Sequence, residues 1–535
     1  MMNNSMMSRR AFVLLAGACC ITARRGQAKP SVLQLQLDAQ PDGAAWCCGP
    51  GKVYVTNLQH RARFTSLDWL QDGVLSVGLV VREPVAVHLQ IALPGFGRVM
   101  VTLDNQGQGY EEGPRKPLSV LNEALKSRLA RCGRRLKETG QAKETGGHLD
   151  RAEELSRAGK LGDALREAIV AGEEIEFSAS QDRLAGSSKI SDARISGILF
   201  GERLGNWAIG VGPDWPLGTD PPDFLLPREV WPTIAELCDG TTIPSFWRWI
   251  EPVRGTYRWK PLDEILDFCE RQGMAAKSFS IFWGGIGGTP PWFRELGFEQ
   301  QKAAIERWCR TLVQRYRGRI VAWETVNEMH DWGFANPRRW SHEQLLEVTL
   351  LVNEIVGALD PATPRVINHC CIWGDYVQGL GEGFWTPLSF LEEALHRAIP
   401  FEGIGLQYYN PGRDLMECAA HLDRFSRLGK QIWITEMGTP SEPARSRGGQ
   451  VDPMDGWRGP WSPERQADWC ERWYSMALAR RFVRAMNWWD MVDSRAFIAS
   501  AGLLDADYKK KPAFDRVVRL CRRLKVGAPG KTSPG

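Results

Sequence analysis

From about residue 205 onward one unit recurs eight times: a short apolar run, a loop and an amphipathic helix. The apolar runs are WAIGV, TTIPSFW, AAKSFSIFW, IVAWETVN, RVINHCC, GIGLQYY, QIWITE and AMNWWD. The segments between and after them, from REVWPTIAELCD to AFDRVVRLCRRL, carry apolar residues at helical spacing. Strands that alternate with helices pair in parallel, and eight such units close into a (β/α)8 barrel. The barrel is predicted over residues 196–527. A doubly wound open sheet is the alternative, disfavoured by the number of units and by the lack of a GxGxxG at the first turn.

The chain has 535 residues, more than such a barrel needs. Residues 31–110 contain SVLQLQL, KVYVTNL, VLSVGLVV, VAVHLQIAL and RVMVTLD, short runs divided by Gly, Pro and Asp. They predict an all-β sandwich or jelly roll over 29–118. Residues 119–195 are charged and helical in pattern, a connector that braces one unit against the next. Residues 528–535 read as a flexible tail. The N-terminal β-unit is either a structural sandwich or a carbohydrate-binding module, and Trp46 and Trp69 are too few to decide.

Residues 1–28 carry the Arg9-Arg10 pair and an apolar run from Ala11 to Ile21 that is too short to span a bilayer. SRRAFVL resembles a twin-arginine export signal with cleavage after Ala28, which predicts a periplasmic or extracellular protein with no further membrane contact. Thirteen cysteines, two of them in this leader, show no zinc-like spacing. Cys269, Cys309 and Cys470 fall within helical patterns and read as buried free thiols. A net charge of +4, without basic runs interleaved with aromatics, gives no basis for a nucleic-acid partner. The 23 tryptophans lean towards a carbohydrate ligand, because indole rings stack on sugar faces as well as filling cores.

In this fold, catalysis belongs to the C-terminal ends of the strands. Two glutamates fall there: Glu328 ends the fourth strand in WETVNE and Glu436 the seventh in IWITEMG. An isolated strand-end glutamate is more often a surface carboxylate, but two that a closed barrel brings to one cleft suit retaining glycoside hydrolysis. One attacks the anomeric carbon and must be ionised, while the other protonates the leaving oxygen and needs an apolar wall. Trp323, Trp332 and Trp488 or Trp489 are the expected walls. Asn327 is placed to donate to a sugar hydroxyl beside the reacting centre.

These motifs resemble glycoside hydrolase family 10, the β-1,4-xylanase family. WETVNE is similar to its acid/base signature and ITEMG to its nucleophile motif. WIEPVRGTYRW, PPWF, GIGLQ and AGLLDADYKKKPAF agree, so the likeness covers roughly 200–525. The resemblance implies Glu328 as acid/base, Glu436 as nucleophile, and Asn327 and Gln407 as binders of the sugar at the cleavage point. Trp283 and Trp292 are further sugar contacts by the same reasoning. It also implies a polysaccharide or oligosaccharide substrate, xylan first, and no cofactor, because carboxylates and water suffice.

Three positions depart from the family. Trp283 is followed by Gly284 instead of histidine, Tyr409 stands where a histidine follows Gln407, and Phe246 replaces a lysine. Tyr409 is expected to take over the hydrogen bond to Glu436. Action on another β-glycan or from the chain end, and a non-catalytic sugar-binding protein on the same scaffold, are the competing readings.

Asn368 is the cleft residue expected on the fifth strand. His369, Cys370 and Cys371 are adjacent on that strand, face opposite ways and hold no metal together. His330 reads as a packing residue. Asp490 and Asp493 either line the cleft or cap a helix. Trp488 and Trp489 are expected to give one sugar platform, since only one of the pair packs into the barrel wall.

Overall fold

The computed structural model describes residues 32–37, 52–69, 73–78, 83–113, 116–140, 146–186, 193–200, 225–330, 333, 335–381, 383–409, 412–445, 450–452 and 454–526. The segment 1–28 expected to be an export signal, Trp46, Trp332, WAIGV and the expected tail 528–535 lie outside these residues.

The N-terminal β-unit forms two four-stranded sheets. One orders Leu67–Trp69, Val74–Gly78, Val32–Gln36 and Leu118–Ser119; the other orders Ala62–Arg63, Val53–Asn57, Val85–Leu93 and Gly97–Leu103. Pairing is antiparallel throughout except where Val32–Gln36 meets Leu118–Ser119. Leu33, Leu35, Val87, Ile91 and Leu103 are fully buried, which gives these short strands the apolar support that isolated hairpins lack.

Helices α1 (Val120–Thr139), α2 (Gly146–Arg157) and α3 (Leu161–Ala185) follow. Ser119 caps α1 by accepting from the Asn122 amide at 3.1 Å. Several charges of this region are buried against the barrel. Glu173 of α3 accepts from the Leu415 amide (3.1 Å), the Trp457 indole (2.8 Å) and Arg458 (2.7 Å). Arg480 meets Glu176 at 2.8 Å, and Arg128 forms an ion pair with Asp414. The sandwich is tied on by Arg98 with Asp452 at 2.6 Å and by Thr102 donating to Glu417 at 3.2 Å.

Eight parallel strands then close the barrel: β1 (Arg194–Ile198), β2 (Gly240–Pro244), β3 (Ala275–Phe279), β4 (Trp323–Asn327), β5 (Arg365–His369), β6 (Gly403–Tyr409), β7 (Gln431–Gly438) and β8 (Val483–Trp488). β1 pairs with both β2 and β8, and β3 meets β4 through the Lys277–Ala322 bridge and the extension Phe282–Trp283, so no edge is left open. Among the described residues RISGI occupies the place of the first strand, where WAIGV was expected, and its Arg, Ser and Gly weaken the apolar signal. The predicted boundary at residue 196 therefore falls inside β1. Among the described residues eight helices of seven or more residues surround the barrel, and several start at a capping side chain. Ser341 accepts from the Gln344 amide at the start of His342–Leu359, and Asp414 from the Met416 amide at the start of Leu415–Ser426.

Candidate active site

Glu328 has φ +60°, a left-handed backbone that costs a non-glycine residue about 1–3 kcal/mol and persists only where the surroundings impose it. The Glu328 amide, donating to the Asn368 carbonyl at 2.8 Å, fixes that turn. Neighbours on a regular strand face opposite ways, yet Asn327 and Glu328 both reach one amide: Gln407 Nε2 donates to Asn327 Oδ1 at 3.3 Å and to Glu328 Oε1 at 3.2 Å. The left-handed turn thus explains why an asparagine and a glutamate side by side end an apolar strand. Among the described residues the Asn327 amide nitrogen makes no hydrogen bond, which leaves it available to a ligand.

Glu436 is brought to the same place from β7. The register of β6 and β7 shifts between Leu406 and Gln407, setting Gln407 opposite Glu436. Such a bulge re-aims the side chains that follow it. Tyr409 donates to Glu436 Oε2 at 2.5 Å and Asn368 Nδ2 to Glu436 Oε1 at 3.2 Å. Asn368 is oriented in turn: its Oδ1 accepts from Thr435 at 2.6 Å, and its Nδ2 also reaches Glu324 Oε1 at 3.1 Å. Glu324 is fully buried and forms an ion pair with Lys277. Burial pushes the Glu324 carboxyl above its ordinary range, against the pull of Lys277 and Asn368.

Asn327, Glu328, Asn368, Gln407, Tyr409 and Glu436 therefore form one hydrogen-bonded group, and Trp283 joins it by donating from Nε1 to Glu328 Oε2 at 2.9 Å. Trp283 is the tryptophan beside Glu328, and it meets the carboxyl through its indole N–H. Trp323 is not beside it, because it lies at the other end of β4 and its indole donates to Asp360 at 2.8 Å. The expected platform of Trp488 or Trp489 is absent, since both are buried. The Trp488 indole is occupied by the Asp490 and Ala501 carbonyls at 2.9 and 3.1 Å. Trp489 packs edge-on against Phe279 (4.8 Å) and Phe200 (5.6 Å), and its indole N–H makes no hydrogen bond among the described residues. Half-buried Trp292 donates to the Glu251 carbonyl at 3.2 Å and shares no described contact with either glutamate.

The departures at Phe246 and Gly284 have local causes. Phe246 packs against Trp249 (4.4 Å), Phe279 (5.0 Å) and Trp283 (6.3 Å), so an aromatic cluster fills the space a lysine would reach into. A Cβ on Gly284 would meet the Ala335 carbonyl oxygen at 2.6 Å, and the Gly284 carbonyl itself accepts from Arg338 at 2.7 Å. No side chain fits there. Phe279 was missed in the sequence because it reads as an ordinary strand residue. Cys370 was read as core filling; it is buried beside Glu328 and Cys371, and burial, with those neighbours, pushes its thiol well above the ordinary range.

His330 and His369 are both fully buried, with their Nδ1 atoms 3.0 Å apart, and desolvation lowers His330 to about 3. Asp490 accepts from the Phe497 and Ile498 amides at 2.6 and 2.9 Å, and Asp493 from the Gly502 amide at 2.7 Å. Both aspartates thus hold the loop after β8. Phe497 of that loop packs on Tyr409 at 5.1 Å. Nine described cysteines are free, and Cys269, Cys309 and Cys470 are buried among them.

Fold and pocket together define a (β/α)8-barrel protein whose two strand-end glutamates share one polar cluster at the C-terminal mouth. The family model for glycosyl hydrolase family 10 matches residues 245–520, more than half of the chain. The chain belongs to that family of glycoside hydrolases. Endo-1,4-beta-xylanase B from Thermotoga neapolitana is 25% identical over 281 residues, covering 50% of this chain and 75% of its own length. Endo-1,4-beta-xylanase 2 from Arabidopsis thaliana is 26% identical over 210 residues, 39% of this chain but only 19% of its own length. Xylanase 10B from Thermotoga petrophila RKU-1, solved in complex with xylobiose, superposes on 64% of this chain and 97% of its own, with 19% identity and a TM-score of 0.47.

Proposed function

We propose that the protein is an exported retaining β-glycoside hydrolase that cleaves a β-1,4-linked polysaccharide or oligosaccharide of the xylan type. The observation that carries this reading is the shared cluster in which Gln407 bonds Glu328 while Asn368 and Tyr409 bond Glu436. Glu436, an acceptor of two donors, is held for attack on the anomeric carbon. Glu328, against the Trp283 indole, protonates the departing oxygen and then activates the water that releases the sugar. Asn327 donates to the sugar hydroxyl beside the reacting carbon.

The substrate follows the family and the xylanase relatives, and export follows the Arg9-Arg10 leader. A second reading, a β-glycan other than xylan or cleavage from the chain end, is favoured by the Phe246–Phe279–Trp283 cluster and the missing side chain at Gly284. Both alter the surface that would meet the sugar. The test is hydrolysis of xylan, mixed-linkage glucan and an aryl β-xyloside by the purified chain, beside Glu436→Ala and Glu328→Ala. Cleavage lost in both variants supports the reading and the preferred substrate separates its two forms. Failure on every β-glycan overturns it. Cell fractionation of an Arg9→Lys/Arg10→Lys variant tests export, which should fail.

A further inference from the structure

The barrel has a second concavity at the end opposite the glutamates, lined by residues at or beside the starts of all eight strands. Barrels of this kind are ordinarily filled there by bulky branched side chains, and that face ordinarily serves stability. Here the first layer is Gly240, Ala275, Ala322 and Ala485, which leaves a cavity of about 540 Å³ with Trp433 as its aromatic wall. That volume lies within the range of small-molecule sites.

Two buried polar groups line it. Asn487 is 1% exposed, and its Oδ1 accepts from Ser196 at 2.9 Å and Thr242 at 3.1 Å, while its Nδ2 has no hydrogen-bond partner in the protein. Turning the amide over would leave its oxygen unpaired instead, so one polar atom lacks a partner either way. Lys277, 7% exposed, spends two of its three N–H donors on Glu324 and the Ser278 carbonyl. Exposed Arg194 and Arg484 also line the cavity, and neither has a carboxylate partner among the described residues. The acidic residue of the lining, Glu402, is held by Arg365 at 2.6 and 3.0 Å, and Glu324 offsets Lys277. The two arginines therefore leave the concavity positive, and low-dielectric walls focus such a field.

We propose that this cavity binds a small hydroxylated anion of about sugar size, its carboxylate or phosphate held by Arg194 and Arg484 and its hydroxyls by Asn487 and Lys277 against Trp433. The experiment is calorimetric titration of the full chain with D-gluconate, inorganic phosphate and neutral D-glucose. We expect saturable binding of gluconate with a dissociation constant of about 1 mM or tighter, and at least about tenfold weaker binding of glucose. The Arg194→Ala/Arg484→Ala variant changes exposed residues only and should weaken anion binding about tenfold or more. Ala485→Phe, which fills the cavity but keeps both arginines, should do the same and separates the cavity from a merely basic surface. Phosphate binding with the same variant sensitivity places the charge as the recognised feature, and gluconate binding alone places the carboxylate. No saturable heat with either anion, equal affinity for glucose, or affinity untouched by the two variants would overturn the proposal.

Discussion

At the C-terminal mouth of the barrel the strands end in Asn327, Glu328, Gln407 and Glu436, backed by Phe246, Phe279 and Trp283. At the N-terminal mouth the lining is small, with Gly240 on β2, Ala275 on β3, Ala322 just before β4 and Ala485 near the start of β8. One end is crowded, and its polar groups are locked by mutual hydrogen bonds, with backbone strain at Glu328. The other is hollow and basic, with unspent donors. The comparison teaches that a single closed sheet can lock a cluster of polar groups at one end, because the strain there is fixed by hydrogen bonds and packing from the neighbouring strands. A line of contacts joins the two ends: Lys277 to Glu324, Glu324 to Asn368, Asn368 to Glu436.

The largest break of this contrast is Glu436→Ala, for which we expect hydrolysis to fall about 10⁴–10⁶-fold, as when an attacking residue is removed. Initial rates on the best β-glycan check it. Glu328→Ala should lose about 10²–10⁴-fold on a polysaccharide, and much less on an aryl glycoside whose acidic leaving group needs no proton. Equal losses on both substrates would remove Glu328 from the acid role.

Asn368→Ala tests the line between the ends. It takes a donor from a carboxylate, an interaction of about 1.5–3 kcal/mol, so kcat should fall about 10–100-fold. Lys277→Met should leave kcat less affected but lower stability by about 3–5 kcal/mol in urea unfolding, because Glu324 would stay buried without its cation.

The smallest expected effect concerns pH. Burial raises Asp490 from 3.8 to about 7, against the opposing Ile498 and Phe497 amides. Its carboxyl is therefore protonated in the folded chain where it is ionised in the unfolded one. The resulting stability is fully present below about pH 3.8 and is lost as pH rises through about 7. Asp490→Asn should flatten that part of the curve of melting temperature against pH. An unchanged slope would assign the dependence to other groups.

Much of the fold was legible in the sequence because the strand–helix period of the barrel is strong from TTIPSFW to the last helix. The first strand was not, since RISGI carries too little apolar signal to compete with its surroundings. Family membership was readable from the two glutamate motifs. The hydrogen-bonded cluster around Glu328 and Glu436 follows from a left-handed residue and a bulge, and neither has a composition signature. Trp488 and Trp489 show the converse: adjacent residues face opposite ways, yet both are buried, Trp488 under the loop that carries Ala501 and Trp489 against Phe200 and Phe279. Phe246 was seen as a missing lysine, while the aromatic cluster that replaces it emerges only once Phe279 and Trp249 are brought together in space.

The measurement that bears most directly on the central claim is the anomeric configuration of the first product, followed by proton NMR from the start of hydrolysis of a β-linked substrate. Double displacement through Glu436 gives the β-anomer first, with the α-anomer appearing only as the sugar mutarotates. An α-anomer formed first would mean single displacement by water and would contradict the assignment of Glu436 as nucleophile.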